Sequence, residues 1–250
     1  LGLISDDYSL IELARASSVF SLFSGGVAGN YYRPFVQLSF LLDHAIWSVD
    51  YFGYHATNLV LHLFNTVFVC LIARRVLGEK SLGWAVCGLY FGLTPTHASS
   101  ILWICGRTDL LCATFYLLSI LSYLSVRERG TPALALATVS AFCSLLCKEM
   151  ALSIPLICFA ASFALRHHDS RPRRVRAALV DSSPLFVVVF AYLGLRLALF
   201  GSLPDSPIHE TATPAMMLMN FSRYAAGLSI PIDLELIKPF FRTHPPALIV

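Results

Sequence analysis

Long stretches without a charged residue dominate the hydrophobic pattern of this chain. Such runs cover residues 51–73, 81–106, 110–126, 131–147, 151–165 and 182–195, and a further run at 211–232 is interrupted only by Arg223. A helix that crosses a bilayer needs roughly 20 mostly apolar residues, and the strands of a membrane barrel would alternate instead. The pattern therefore predicts about seven transmembrane helices within residues 54–232.

Residues 1–53 have a different pattern, which predicts a large first extracytoplasmic loop. Between Tyr32 and Trp47, apolar side chains recur every three to four positions, at Phe35, Leu38, Leu41, Leu42, Ala45 and Ile46. This spacing is typical of an amphipathic helix lying in the membrane interface. The chain begins at Leu1, so we expect a fragment with a membrane segment upstream, and residues 233–250 as the start of a further segment.

The composition agrees with a membrane protein. Hydrophobic residues make up 56% and charged residues 13% of the chain, and the mean hydropathy is +0.69. A soluble domain has about 25% charged residues, and a disordered chain is poorer in apolar ones. The net charge of +3 is too small to indicate a nucleic-acid partner. The sequence thus predicts an all-α polytopic membrane protein in contact with membrane lipids.

Basic residues in the loops indicate an orientation. Ten lie in alternate loops: Arg74, Arg75, Lys80, Arg127, Arg129, Arg166, Arg171, Arg173, Arg174 and Arg176. The intervening turns contain only Arg107 and Lys148. Because cytoplasmic loops are enriched in Lys and Arg, this asymmetry places the first loop and the turns around 95–109 and 148–149 on the outer or lumenal face.

The few charges on that outer face are candidate functional residues, since ionisable groups near membrane depth are costly. Arg107 and Lys148 are suited to bind the phosphate of a lipid-linked substrate, with Arg33 and His97 assisting. The alternative is structural pairing of Arg107 with Asp109 or Glu149, and of Lys148 with an acid of the first loop. The supporting residues are predicted to be Asp43, His55, Asp109 and Glu149.

An acidic pair, Asp6 and Asp7, lies where the first loop would leave the membrane. A carboxylate there is well placed to remove a proton from an acceptor hydroxyl, and spacing does not decide between the two. We expect no metal and no cofactor, because no His or Cys lies at ligand spacing from this pair.

Ordered motifs resemble one membrane family. They are Tyr32-Arg33-Pro34-Phe35, Leu41-Leu42-Asp43-His44, Phe52-Gly53-Tyr54-His55, Pro95-Thr96-His97, Cys105-Gly106-Arg107-Thr108-Asp109 and Lys148-Glu149-Met150-Ala151. The set is similar to the transmembrane O-mannosyltransferases that carry tetratricopeptide repeats, and to their bacterial relatives.

The resemblance implies a GT-C-like helical bundle and a glycosyltransferase that uses a polyprenyl- or dolichyl-phosphate sugar. Mannose is the expected sugar, and a protein Ser or Thr or a glycan hydroxyl is the expected acceptor. Asp6-Asp7 would be the acidic pair of the first outer loop. The expected location is a bacterial inner membrane or the endoplasmic reticulum membrane. A transporter or lipid flippase, or a non-catalytic membrane scaffold, is the alternative.

Overall fold

The computed structural model describes residues 7–16, 18–24, 32–166, 168 and 170–200, and the secondary structure within them is helical. The α-helices are α1 (Asp7–Ala16), α2 (Val19–Phe23), α3 (Pro34–Trp47), α4 (Tyr51–Leu77), α5 (Gly83–Leu93), α6 (Ala98–Leu102), α7 (Arg107–Leu124), α8 (Val126–Arg129), α9 (Thr131–Leu145), α10 (Ile154–Leu165) and α11 (Arg171–Phe200). Short 3₁₀ turns cover Pro95–His97, Ile104–Gly106 and Glu149–Ser153. The predicted all-α class is confirmed.

Three of the described helical segments are long and apolar enough to cross a membrane: Tyr51–Leu77, Ile104–Leu124 and Arg171–Phe200. Shorter apolar helices cover Gly83–Leu93, Thr131–Leu145 and Glu149–Leu165. These six segments correspond to the first six predicted runs, as expected of a polytopic membrane protein. The seventh run, at 211–232, lies outside the described residues.

Local capping explains where α4 begins and ends. The Asp50 side chain accepts a hydrogen bond from the Phe52 N–H at 3.0 Å, which satisfies a free donor of the first turn. At the other end, Gly78 has a φ of +87° and its N–H donates to the Arg74 carbonyl. Glycine adopts this backbone conformation with little strain, so it stops the helix there.

Helix α11 begins eleven residues earlier than the apolar run at 182–195 predicted, because its first turns carry arginines rather than apolar residues. It also continues through Pro184. Proline has no N–H to donate to the carbonyl four residues back, that of Val180. The Ser183 hydroxyl donates to this carbonyl at 2.8 Å, so the missing backbone bond is replaced.

Consecutive long helices pack side by side: α4 against α5 and α7, α7 against α9, and α9 and α10 against α11. Their turns therefore gather at two ends. At the arginine end, defined by the turns 78–82 and 125–130 and by Arg166 after α10, Arg75 pairs with Glu128. At the opposite site end, defined by α3 and the turns 94–106 and 146–153, Glu149 pairs with both Arg33 and Arg196.

The predicted amphipathic helix of the first loop is observed as α3. Its apolar residues Leu42 and Ile46 are 55% and 69% exposed, whereas Val36 and Phe40 are buried against the bundle. An outward apolar stripe is what an interfacial helix would direct toward lipid. Its position in the membrane interface stays a prediction.

Candidate active site

Arg107 is fully buried at the first turn of α7, and its guanidinium is surrounded by protein groups. Nη1 lies 2.6 Å from Asp43 Oδ2, Nε donates to Asn58 Oδ1 at 2.9 Å, and Nη2 donates to the Tyr54 carbonyl at 2.8 Å. The guanidinium carbon also lies 4.7 Å from the centre of the Phe40 ring. A buried charge is tolerated when it is paired and hydrogen-bonded in this way.

The partner of Arg107 thus differs from the predicted pairing with Asp109 or Glu149. Asp43 lies on α3, and Thr57 of α4 donates to its other oxygen at 2.9 Å. The Asn58 amide in turn donates to the Trp103 carbonyl at 3.1 Å. This network joins α3, α4 and the segment that precedes α7.

Gly106 is required for this placement of Arg107. A Cβ atom at Gly106 would lie 2.4 Å from the carbonyl oxygen of Ser100. That neighbour is backbone, which cannot rotate away as a side-chain end can. The Gly-Arg part of the motif therefore has a packing reason that does not depend on any ligand.

A second network centres on Glu149. Its two carboxylate oxygens lie 3.1 Å from Arg33 Nη2 and 3.0 Å from Arg196 Nη1. Arg196 is 2% exposed and also donates to the Tyr192 hydroxyl at 3.3 Å. Two arginines from separate segments thus share one carboxylate, which joins the start of α3 to α11.

Arg196 was not among the residues predicted from the sequence. It follows directly after the apolar run 182–195, where a charged residue indicates only that the run ends. An arginine at membrane depth is itself a signal of function or pairing, and this signal could have identified it.

Among the described residues, Lys148 pairs with Asp109, through Nζ and Oδ1, rather than with the predicted acid of the first loop. The two side chains are 27% and 47% exposed, in contrast to Arg107. Among the predicted phosphate-binding cations, Lys148 and the 24% exposed Arg33 are therefore partly accessible to solvent.

Asp7 is buried at the start of α1, and its Oδ1 accepts a hydrogen bond from the Cys105 N–H at 2.9 Å. This contact ties the first loop to the segment that precedes Arg107. Asp6 lies outside the described residues. No group of three or more His, Cys, Asp or Glu side chains in the described part of the chain is arranged to hold a metal ion.

Of the two predicted histidines, His55 lies on α4 and His97 lies in the 3₁₀ turn that follows α5. The ring centres of His97 and His62 are 5.7 Å apart, and Phe91 lies 4.5 Å from His97. Burial, followed by the electrostatic effect of the nearby His62 ring, lowers the pKa of His97, so the His97 ring is neutral at pH 7. Both ring nitrogens of His55 are buried and have no hydrogen-bond partner among the residues that the structure describes.

Comparison with known proteins supports an identification. The chain is 36% identical over 140 residues to protein O-mannosyl-transferase Tmtc1 of Drosophila melanogaster, a match covering 55% of this chain and 16% of that protein. It is 32% identical over 216 residues to Tmtc2 of the same organism, covering 80% and 22%. It is 25% identical over 260 residues to human TMTC3, covering 87% and 28%. The chain resembles the protein O-mannosyl-transferases.

The resemblance predicted from the ordered motifs is thereby confirmed. The matches span less than a third of the length of these O-mannosyl-transferases. No protein-family profile matches the chain, and no solved structure does.

Proposed function

We propose that this chain is the membrane part of a GT-C glycosyltransferase. It transfers a sugar, mannose by analogy with the relatives' names, from a polyprenyl- or dolichyl-phosphate donor to a protein Ser or Thr hydroxyl. Since the relatives named above are animal proteins, the proposed location is the endoplasmic reticulum membrane, with the site end toward the lumen.

One observation carries this proposal: charged side chains from four separate segments meet at one end of a largely apolar bundle. Arg33 precedes α3, Asp109 belongs to the first turn of α7, Lys148 and Glu149 form a turn, and Arg196 lies about one turn before the end of α11. Charges placed at membrane depth are costly, and they mark functional sites by default. In a scaffold these charges would serve only to pair with one another, whereas Lys148 and Arg33 remain partly exposed.

We assign the donor phosphate to Lys148 and Arg33. Each is partly exposed, and each has an acidic partner that a phosphate can replace. As the bond between the sugar and the phosphate breaks, negative charge grows on the leaving phosphate, and fixed cations stabilise it most in the transition state. Arg107 is fully buried, and Asp43, Asn58 and Tyr54 engage its guanidinium, so we assign it as a positioning residue that fixes the start of α7.

We assign the general base to Asp6. The Asp7 carboxylate is 1% exposed and holds the Cys105 N–H, so it cannot reach an acceptor in solution. In this reaction the acceptor hydroxyl gives its proton to Asp6, and its oxygen attacks the anomeric carbon. The lipid phosphate leaves from the opposite face, with inversion through an oxocarbenium-like transition state.

Lys148→Gln tests the phosphate assignment, with Lys80→Gln as the matched control. Lys80 is an exposed lysine at the arginine end, so its replacement removes the same charge far from the site. We expect Lys148→Gln to lower turnover of the lipid-phosphate sugar by about 10-fold or more, the loss of roughly one charge-assisted hydrogen bond. Lys80→Gln should keep native turnover. Equal turnover in the two variants would remove Lys148 from the donor site.

A further inference from the structure

A cavity of 880 Å³ lies at the arginine end, between the last turns of α4 and α7 and the short helix α8. Its lining combines charged side chains with leucines. Charged residues from α4, α8 and the turn after α4 are Arg74, Arg75, Glu79, Arg127, Glu128 and Arg129. Leucines from α4, α7, α9 and α10 form much of the remaining wall. The volume is within the range of small-molecule sites, about 300–1,000 Å³.

The cavity has an excess of positive charge, and two of its arginines have no acidic partner within the part of the chain that the structure describes. Arg74 pairs with Glu79 at 2.8 Å, and Arg75 pairs with Glu128 at 3.0 Å. Arg127 and Arg129 are exposed and have no acidic partner among the described residues. Two guanidinium groups are thus available to an anion at the mouth of a leucine-lined cavity.

Arg127 and Arg129 lie on the short helix α8, and an ion pair between α4 and α8 fixes the position of that helix. Nη1 and Nη2 of Arg75 each donate to one carboxylate oxygen of Glu128, and both distances are 3.0 Å. Nη1 also donates to the Leu124 carbonyl at 3.3 Å, at the end of α7. A bidentate pair of this kind has a defined geometry, so α8 is held against α4 without any ligand.

We propose that this cavity binds an anionic phospholipid of the leaflet at the arginine end, which is the cytoplasmic leaflet if loop charge sets the orientation. Arg127 and Arg129 bind the phosphate-bearing headgroup, and the leucines contact an acyl chain. A soluble anion would leave the leucines in water, and an uncharged lipid would leave the arginines unpaired. Basic pockets between transmembrane helices on the cytoplasmic side are suited to anionic headgroups. The site is independent of the proposed function, because it lies at the opposite end of the bundle.

The test compares two double variants of the purified protein in uncharged detergent micelles. Arg127→Gln/Arg129→Gln removes the two unpaired cations of the cavity. Arg171→Gln/Arg173→Gln removes two exposed arginines from the same end of the bundle, outside the lining of this cavity. Binding of phosphatidylglycerol is titrated by native mass spectrometry, with phosphatidylcholine and soluble glycerol phosphate as comparison ligands.

We expect the native protein and the Arg171/Arg173 variant to bind phosphatidylglycerol equally, and to prefer it over phosphatidylcholine. The Arg127/Arg129 variant should bind about 30-fold more weakly, since each arginine near an anionic lipid contributes about a factor of five. Equal weakening in the two variants would mean that diffuse surface charge attracts the lipid, and would overturn the proposal. Binding of glycerol phosphate as tight as that of the lipid would also overturn it.

Discussion

Two kinds of charged residue meet at the site end, and they differ in their access to water. Arg107 is fully buried and its donors are used by Asp43, Asn58 and Tyr54. Lys148 and Arg33 remain partly exposed. Only the exposed cations can exchange a protein partner for a ligand without leaving a buried acid unpaired.

We therefore expect Arg107→Met to lower the stability of the protein rather than to impair sugar transfer directly. Removing one member of a buried ion pair costs about 3–5 kcal/mol, because the remaining charge has no partner. We expect this loss in the free energy of unfolding of the detergent-solubilised protein. The double variant Arg107→Met/Asp43→Asn should recover part of it, since no uncompensated charge is then left. A fully stable Arg107→Met protein with lost donor turnover would instead make Arg107 a phosphate ligand.

The sequence predicted which residues carry charge at the site, but not how they pair. Arg107 and Lys148 were identified because they interrupt apolar segments. The contact between Arg107 and Asp43 joins residues on different helices, and periodicity along one helix contains no information on such a contact. Arg196 was missed for a related reason, because its partner Glu149 is brought close only by the packing of α11.

At the scale of elements, close backbone approach fixes the start of α7. Gly106 lies against the backbone of Ser100, and Arg107 follows directly. Helix existence and order followed from the apolar runs, whereas the start of α11 did not. The extra turns of α11 are polar, and the structure at Pro184 depends on a side-chain hydrogen bond that hydropathy does not reveal.

Gly106→Ala tests whether the close contact with Ser100 fixes the start of α7, and Gly194→Ala is the control. A Cβ at Gly106 meets backbone atoms of Ser100, whereas a Cβ at Gly194 in α11 has nothing within 4 Å. Overpacking costs about 1–3 kcal/mol, so Gly106→Ala should lower thermal stability and displace Arg107. Gly194→Ala should be neutral or stabilising by up to about 1 kcal/mol, because alanine favours helix. Unchanged stability of Gly106→Ala would contradict the role given to this turn.

For the whole molecule, the arrangement of helices puts the charged turns at two opposite ends. Arg75–Glu128 joins turns at the arginine end, and Arg33–Glu149 joins the first loop to the turn at 148–149. That these two groups of turns lie on opposite sides of the membrane stays a prediction. The predicted direction of the bundle follows from the excess of Lys and Arg in alternate loops.

Single cysteines at Arg173 and Val49 test which end of the bundle faces the cytoplasm. Arg173 lies on the first turn of α11 and Val49 lies between α3 and α4, and both are exposed. In sealed microsomes an impermeant thiol reagent should label Arg173→Cys and should reach Val49→Cys only after the membrane is opened. The unsubstituted protein gives the background of the native cysteines. Labelling of both positions in sealed vesicles would contradict the two-ended arrangement.

The most direct test of the central claim is sugar transfer by the purified protein, with Asp6→Asn and Asp7→Asn measured beside it. The native protein should transfer mannose from a lipid-phosphate donor to a Ser- or Thr-containing acceptor. Asp6→Asn should lose about 10²–10⁴-fold in rate with unchanged thermal stability, as for removal of a general base. Asp7→Asn should keep most of the rate, because an amide oxygen still accepts from the Cys105 N–H. Native rates in Asp6→Asn, or no transfer by the native protein, would contradict the account.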